Sequence, residues 1–270
     1  MPASLNAYAR AATNAARAAG LLLRRHLGAP RTVHTKRSAI DLVTELDRAS
    51  EQLIYTQLHR AFPSVGFLGE ECGARHTGRS SRWIVDPLDG TNNFVHGLPL
   101  FGVSIGLELD GQIVMGVIYD PIRRELFLAM KRRGAFLNGK RIHVSATRRL
   151  AISLLATGFS SRFLTRRQPY LRWFETLQRR SHGVRRIGST VLCLAAVAAG
   201  RLDGFYERDL WPWDIAAGSL LVEEAGGRVT NLVGSLLDLT NGQLVASNGH
   251  IHQELLRVVG TGEVVGRRVT

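Results

Sequence analysis

The chain has 270 residues, 45% of them apolar, and 35 Lys and Arg against 22 Asp and Glu, for a net charge of +13. That is enough apolar material for a substantial core in one large domain or two smaller ones, and the absence of any run of about 18 apolar residues argues against a membrane span. The two cysteines, Cys72 and Cys193, read as reduced thiols of a cytoplasmic protein and not as a disulfide framework.

Residues 1–40 contain no acid but carry Arg10, Arg17, Arg24, Arg25, Arg31, Lys36 and Arg37. Such an Ala/Arg-rich start has the composition of an organellar transit peptide. Against that, Leu5, Tyr8, Ala12, Ala15, Ala19, Leu22 and Leu23 recur at helical spacing, with Arg10, Arg17 and Arg24 on another face. The spacing predicts an amphipathic first helix of the mature fold. "DLVTELD" (41–47) leads into a second helix over 45–62, with Leu46, Leu53, Ile54 and Leu58 in phase and Pro63 as its stop. "VGFLGEE" (65–71) and "RWIVDPLDG" (82–90) read as apolar strands that end in acids. Asp110-Gly111 and Asn138-Gly139 are hairpin signals, so 100–145 is mostly antiparallel sheet.

In the second half, 152–157 reads as a strand and 164–180 as a helix. Residues 189–200 are apolar nearly all round, which predicts a buried helix with Ser189 or Thr190 near its start. A strand at 202–207, a helix at 213–227, a strand at 243–247 and a helix at 250–259 complete the pattern. The division expected is an N-terminal α+β half, 1–148, and a C-terminal α/β half, 149–270. The stretch 162–186 holds Arg162, Arg166, Arg167, Arg172, Arg179, Arg180, Arg185 and Arg186 against Glu175 alone. A nucleic-acid site would interleave such arginines with exposed aromatics, and Tyr170, Trp173 and Phe174 are near. Helical spacing instead turns Trp173, Phe174 and Leu177 inward and leaves the arginines in solvent.

The acids that follow or interrupt apolar segments are Asp41, Asp47, Glu70, Glu71, Asp86, Asp89 and Asp214. Acids at the ends of buried strands are costly unless paired, hydrogen-bonded or bound to a cation. Oxygen donors with no thiol and no histidine cluster favour a hard cation, Mg²⁺ first. Pro87 fixes the backbone between Asp86 and Asp89, so both can face one pocket with the Leu88 carbonyl as a neutral ligand. Gly90 permits close backbone approach, and Thr91 can begin a helix whose free amides favour a phosphate oxygen. Carboxylates beside an anion-binding helix start are what metal-assisted phosphoryl transfer to water needs. Each piece alone has a plainer reading: Asp86, Asp89 and Asp214 are good helix or turn caps, and Glu70-Glu71 is a common solvated pair.

Taken together, "DLVTELD", "FLGEE", "WIVDPLDGTNNFVHGLP", "GST" and "WDIAAGSLLVEEAGG" resemble, in the same order, the inositol monophosphatase family of Mg²⁺-dependent, lithium-sensitive phosphatases. The resemblance implies a layered αβαβα sandwich of the α/β class, a homodimer, and two to three Mg²⁺ ions. By the same resemblance Glu70, Asp86 and the Leu88 carbonyl match the first metal's ligands, and Asp86, Asp89 and Asp214 the second's. Glu70 also matches a ligand of a third ion. Thr91 with Asp47 matches the pair that orients the attacking water, and Gly90 and Thr91 the phosphate cradle. Gly188, Ser189 and Thr190 match the loop at the alcohol, and Glu207 the acid that binds a substrate hydroxyl. Thr190 stands where inositol-selective relatives often have alanine. The two tryptophans of "DLWPWD" either stack on a sugar or pack beneath the metal site.

The function expected is hydrolysis of inositol 1-phosphate or a similar polyol or sugar phosphate, by in-line attack of a metal-activated water. Histidinol phosphate, fructose 1,6-bisphosphate, a 3′-phosphonucleotide or NADP are alternatives on the same metal core. From another class, the arginines and the transcription partners of bacterial members of the family suggest an RNA-binding or transcription-associated role. The basic balance has a milder meaning too, since it would concentrate phosphorylated substrates near the protein.

Overall fold

The periodic segments form the expected helices. The structure, a computed structural model, describes residues 4–28, 33–35, 42–76, 80–159 and 167–260. Arg31, Lys36, Arg37, Asp41, Arg162 and Arg166 lie outside the described residues. The elements run α1 (Leu5–His26), β1 (Val33–Thr35), β2 (Leu42–Thr44), α2 (Glu45–Ala61), β3 (Gly66–Gly69), β4 (Gly73–Arg75), β5 (Ser81–Asp89) and α3 (Thr91–Val95). Then come β6 (Gly102–Leu109), β7 (Gln112–Asp120), β8 (Glu125–Met130), β9 (Gly134–Leu137) and β10 (Lys140–Ile142). The chain closes with β11 (Leu154–Thr157), α4 (Arg167–Arg180), β12 (Gly183–Arg185), α5 (Thr190–Ala198), β13 (Gly204–Glu207), α6 (Pro212–Glu224), β14 (Arg228–Thr230), β15 (Leu244–Ser247) and α7 (His252–Val259).

Two sheets carry the fold. One has eight strands in the order β10-β9-β8-β7-β6-β5-β3-β4, the other five in the order β12-β11-β13-β15-β14, and β1 pairs with β2 alone. α1 and α2 pack on one face of the large sheet, α5 and α6 lie between the sheets, and α4 and α7 pack on the small sheet. The layers are therefore α, β, α, β, α. Both Asx-Gly hairpins have two left-handed residues, Asp110 (φ 50°) with Gly111 (φ 75°) and Asn138 (φ 48°) with Gly139 (φ 81°). Those angles match the primed turn that the twist of paired strands favours.

Burial follows the periodicity. α1 buries Tyr8, Ala12, Ala15, Ala19 and Leu23, leaves Leu22 half-buried, and exposes Arg10 and Arg17. Its alanine stripe has little side chain to displace, so it seats closely on α2 and the sheet. α5, apolar on every side, is buried on nearly every side, as its place between two sheets requires. α4 buries Tyr170, Trp173 and Leu177 and half-buries Phe174, while Arg172, Arg179 and Arg180 are exposed. Trp173 and Phe174 belong to a core with Leu155, Val184, Tyr206 and Leu255, and Tyr170 is buried against Trp173 and Phe159, so Tyr170 and Trp173 offer no stacking platform to a nucleic acid. No helix among the described residues is long and apolar enough to cross a membrane.

Candidate active site

Strand β5 supplies two of the acids. In a regular strand Asp86 and Asp89, three apart, would face opposite sides. The pairing with β6 runs Asp86 with Ser104 and then Asp89 with Gly102, three steps against two. One extra residue therefore bulges at Pro87-Leu88 and re-aims the second carboxylate toward the first. The backbone restriction of Pro87, the feature visible in the sequence, is part of this device; the bulge is what turns the side chain.

Helix α6 supplies the third acid. Asp214 sits in its first turn and accepts the Trp211 amide at 2.7 Å, so it caps the helix as well. Carboxylate oxygens of Asp86, Asp89 and Asp214 lie within 4.8 Å of one another, Asp86 buried and the other two half-buried. Glu70 follows β3, whose parallel register pairs Gly69 with Val85, and stands outside that trio. Its charge still reaches Asp86 and Asp214.

Burial pushes the Asp86 carboxyl well above the usual carboxylate range, and the charges of Glu70, Asp89 and Asp214 push it the same way. Burial likewise raises Asp214, helped by Asp89 and Glu70. Burial raises Asp89 only to about 6, because the Ser189 hydroxyl and the Val191 and Thr190 amides hydrogen-bond its charged form. Three mutually repelling carboxylates, with the Leu88 carbonyl in the same bulge, form an oxygen-only donor set that suits a hard divalent cation. A cation is also what would relieve the repulsion.

Helix α2 fixes the geometry from behind. Asp47 is fully buried; its Oδ2 accepts the Thr44 amide at 2.8 Å and the Thr44 hydroxyl at 2.7 Å. Its Oδ1 lies 3.1 Å from the Thr91 hydroxyl, which is also 3.0 Å from the Leu88 carbonyl. One turn on, Ser50 donates to the Pro87 carbonyl at 2.9 Å. Glu51 accepts the Glu71 amide at 2.9 Å and the Cys72 amide at 2.8 Å, and so pins the turn that carries Glu70. Ser50 and Glu51 escaped the sequence reading. Their signal was a polar stripe at 47, 50 and 51 on a face that also carries Ile54.

A cavity of about 190 Å³ opens beside the trio, lined by Glu70, Asp89, Thr91, Arg186, Ser189 and Glu207 among others. Gly90, left-handed at φ 93°, caps α3, and its missing side chain lets the Leu100 carbonyl and Gly188 approach. Asn93, another residue the sequence reading missed, ties Gly188's loop to α3 by donating to the Leu100 carbonyl at 2.7 Å and the Ile187 carbonyl at 2.9 Å. Ser189, not Thr190, is the cap of α5. The Thr190 hydroxyl donates to Glu207 at 3.1 Å, and burial pushes the Glu207 carboxyl up to about 8. The tryptophans do not line this cavity. Trp213 is buried against Ile84 and Ala216, and Trp211 stacks on it with ring centres 5.4 Å apart.

Residues 4–261 match the model of the inositol monophosphatase family. The chain is 46% identical to an inositol-1-monophosphatase of Mesorhizobium japonicum, over 81% of this chain and 83% of that one. It is 43% identical to the Nus factor SuhB of Pseudomonas aeruginosa, over 92% of this chain and 94% of that one. Among solved structures it resembles the extragenic suppressor protein SuhB of Bartonella henselae, with a TM-score of 0.90, 44% identity, and coverage of 94% and 98% of the two chains. The inositol monophosphatase of Anabaena superposes with a TM-score of 0.86 at 41% identity, covering 95% and 96%. From its fold, its trio of carboxylates and these relatives, the chain belongs to the inositol monophosphatase family, a family of phosphomonoesterases.

Proposed function

We propose that this chain is a Mg²⁺-dependent, lithium-sensitive phosphatase of inositol 1-phosphate or a similar polyol or sugar phosphate, acting as a homodimer. The observation that carries the reading is the convergence of Asp86, Asp89 and Asp214 within 4.8 Å beside a cavity lined by Thr91 and Glu207. Glu70, Asp86, Asp89, Asp214 and the Leu88 carbonyl would hold two to three ions. Divalent ions bound there would supply activation of water and charge stabilisation at the leaving oxygen.

The chain's own residues do the rest. Thr91 commits its one hydroxyl proton to Asp47 or the Leu88 carbonyl, which leaves its lone pairs to accept a hydrogen bond from a water in the cavity. Glu70 faces the same cavity and orients that water with Thr91. The Gly90 and Thr91 amides cradle the phosphate, and Glu207 takes a hydroxyl of the alcohol beside the Gly188–Ser189–Thr190 loop. Phosphoryl transfer asks for positioning and charge more than for covalent chemistry.

The test is inorganic phosphate release from inositol 1-phosphate, histidinol phosphate and 3′-phosphoadenosine 5′-phosphate, with and without Mg²⁺ and lithium. The expected result is Mg²⁺-dependent release, fastest from inositol 1-phosphate and inhibited by lithium. Release from none of the three would reject the phosphatase reading, and preference for another ester would reassign the alcohol. A second reading, association with the transcription machinery, draws on relatives named Nus factor in two bacteria and on the exposed arginines of α4. A steep fall of RNA affinity with salt would support it.

A further inference from the structure

We propose that Gly158 and Thr190 are specificity-determining positioning residues, which set how the Glu207 carboxyl group of this chain faces a bound alcohol; this rests on the phosphatase reading above. The parallel register of β11 and β13 pairs Leu155 with Gly204, Ala156 with Phe205 and Thr157 with Tyr206. The Thr157 hydroxyl locks that register by donating to the Tyr206 carbonyl at 2.7 Å. The next step along both strands sets Gly158 beside Glu207. A Cβ added at Gly158 would overlap both carboxylate oxygens and Cδ of Glu207. The Gly158 backbone is not left-handed. Space, and not backbone conformation, is therefore what calls for glycine there.

From the other side Thr190, on α5, donates its hydroxyl to Glu207 Oε2 at 3.1 Å. Glu207 is only 6% exposed, yet it lines the cavity. The carboxylate is thus wedged between the bare backbone at 158 and a hydroxyl from another layer. Thr190 uses one acceptor direction of the Glu207 carboxyl group, which leaves the rest of that group to pair with hydroxyls of a bound alcohol. A buried acceptor that must be paired discriminates strongly against esters that bring no hydroxyl. Thr190 reaches the trio through its backbone amide, which hydrogen-bonds Asp89, whereas its hydroxyl goes to Glu207, so a change of side chain at 190 acts at the alcohol end.

The experiment compares kcat/KM for inositol 1-phosphate with that for p-nitrophenyl phosphate, whose leaving group has no second hydroxyl. In Gly158→Ala the ratio of the two should fall about tenfold, carried by KM for inositol 1-phosphate. Shortening the acid in the double variant Gly158→Ala/Glu207→Asp makes room for the methyl, and should recover part of the ratio beyond the sum of the single changes. Thr190→Ser should keep the ratio, and Thr190→Val should lower it. Equal losses on both esters, or strict additivity of the double variant, would overturn the proposal. If the unmodified protein cleaves neither ester, the phosphatase reading itself has failed.

Discussion

The Ser189 hydroxyl at the start of α5 donates to Oδ2 of Asp89 at the end of β5, across a hundred residues of chain. The Val191 amide reaches the same oxygen at 2.9 Å. Asp89 is thereby held by the end of a helix whose free amides favour a negative charge. Ser189→Ala removes one donor and lets burial raise Asp89 further. The expected result is roughly a tenfold loss of kcat/KM at low Mg²⁺, partly recovered at saturating Mg²⁺, as read by phosphate release.

Asp86→Asn and Asp214→Asn should each nearly abolish phosphate release, on the order of a thousandfold or more. They should do so without unfolding the protein. Both carboxyls are raised by burial and by their neighbours' charge, so neutralising either removes a buried repulsion. The metal-free variants should melt at or above the temperature of the unmodified chain. Near-normal turnover at saturating Mg²⁺ would contradict the ligand assignment.

Glu51 is a positioning residue for Glu70. Glu51→Gln keeps the shape but offers one acceptor oxygen to two amides, so the Glu71 or Cys72 amide faces an NH₂ group. An unpaired buried amide costs about 1–3 kcal/mol. The Mg²⁺ concentration for half-activation should rise several-fold while kcat at saturation changes less. A purely structural role would lower the melting temperature and leave the Mg²⁺ dependence where it was.

His252 is fully buried, 2.9 Å from the hydroxyls of Thr230 and Ser247. Burial, with Arg228 nearby, pushes its pKa down from 6.5 to about 4. Above pH 6.5 the imidazole is neutral folded or unfolded, and its contribution is complete. Between 6.5 and 4 the unfolded chain takes up a proton that the fold refuses, so stability falls as pH falls. Over that interval the loss is at most about 3 kcal/mol. Denaturant unfolding at several pH values should show it, and His252→Gln should flatten that segment of the curve.

The helices with a clear period and the strands with an apolar run or a turn signal were readable in advance, and some of the shortest strands were not. α1, α2 and α4 follow from apolar residues three and four apart, and the same spacing turned Trp173, Phe174 and Leu177 to the inner face of α4 despite the arginines around them, where Trp173 and Leu177 are buried and Phe174 half-buried. β1, β2 and β12, at three residues each, are too short to show an alternation. Asp86, Asp89 and Asp214 stood out because acids interrupt apolar runs. Ser50, Glu51, Asn93 and Gly158 did not, because their partners lie 37, 20 and 94 residues away or, for Gly158, because what matters is the room a missing side chain leaves for a distant carboxylate. A cap and a ligand also look alike in one dimension: Asp214 is placed to be both.

The bulge in β5 places two of its acids on the large sheet, while Asp214 rides on a helix wedged between the sheets. An ion shared among them would be a rivet through two layers of the molecule. Chelation would then cut a cross-link as well as stop a reaction, and the temperature at which the layers part should climb with free Mg²⁺.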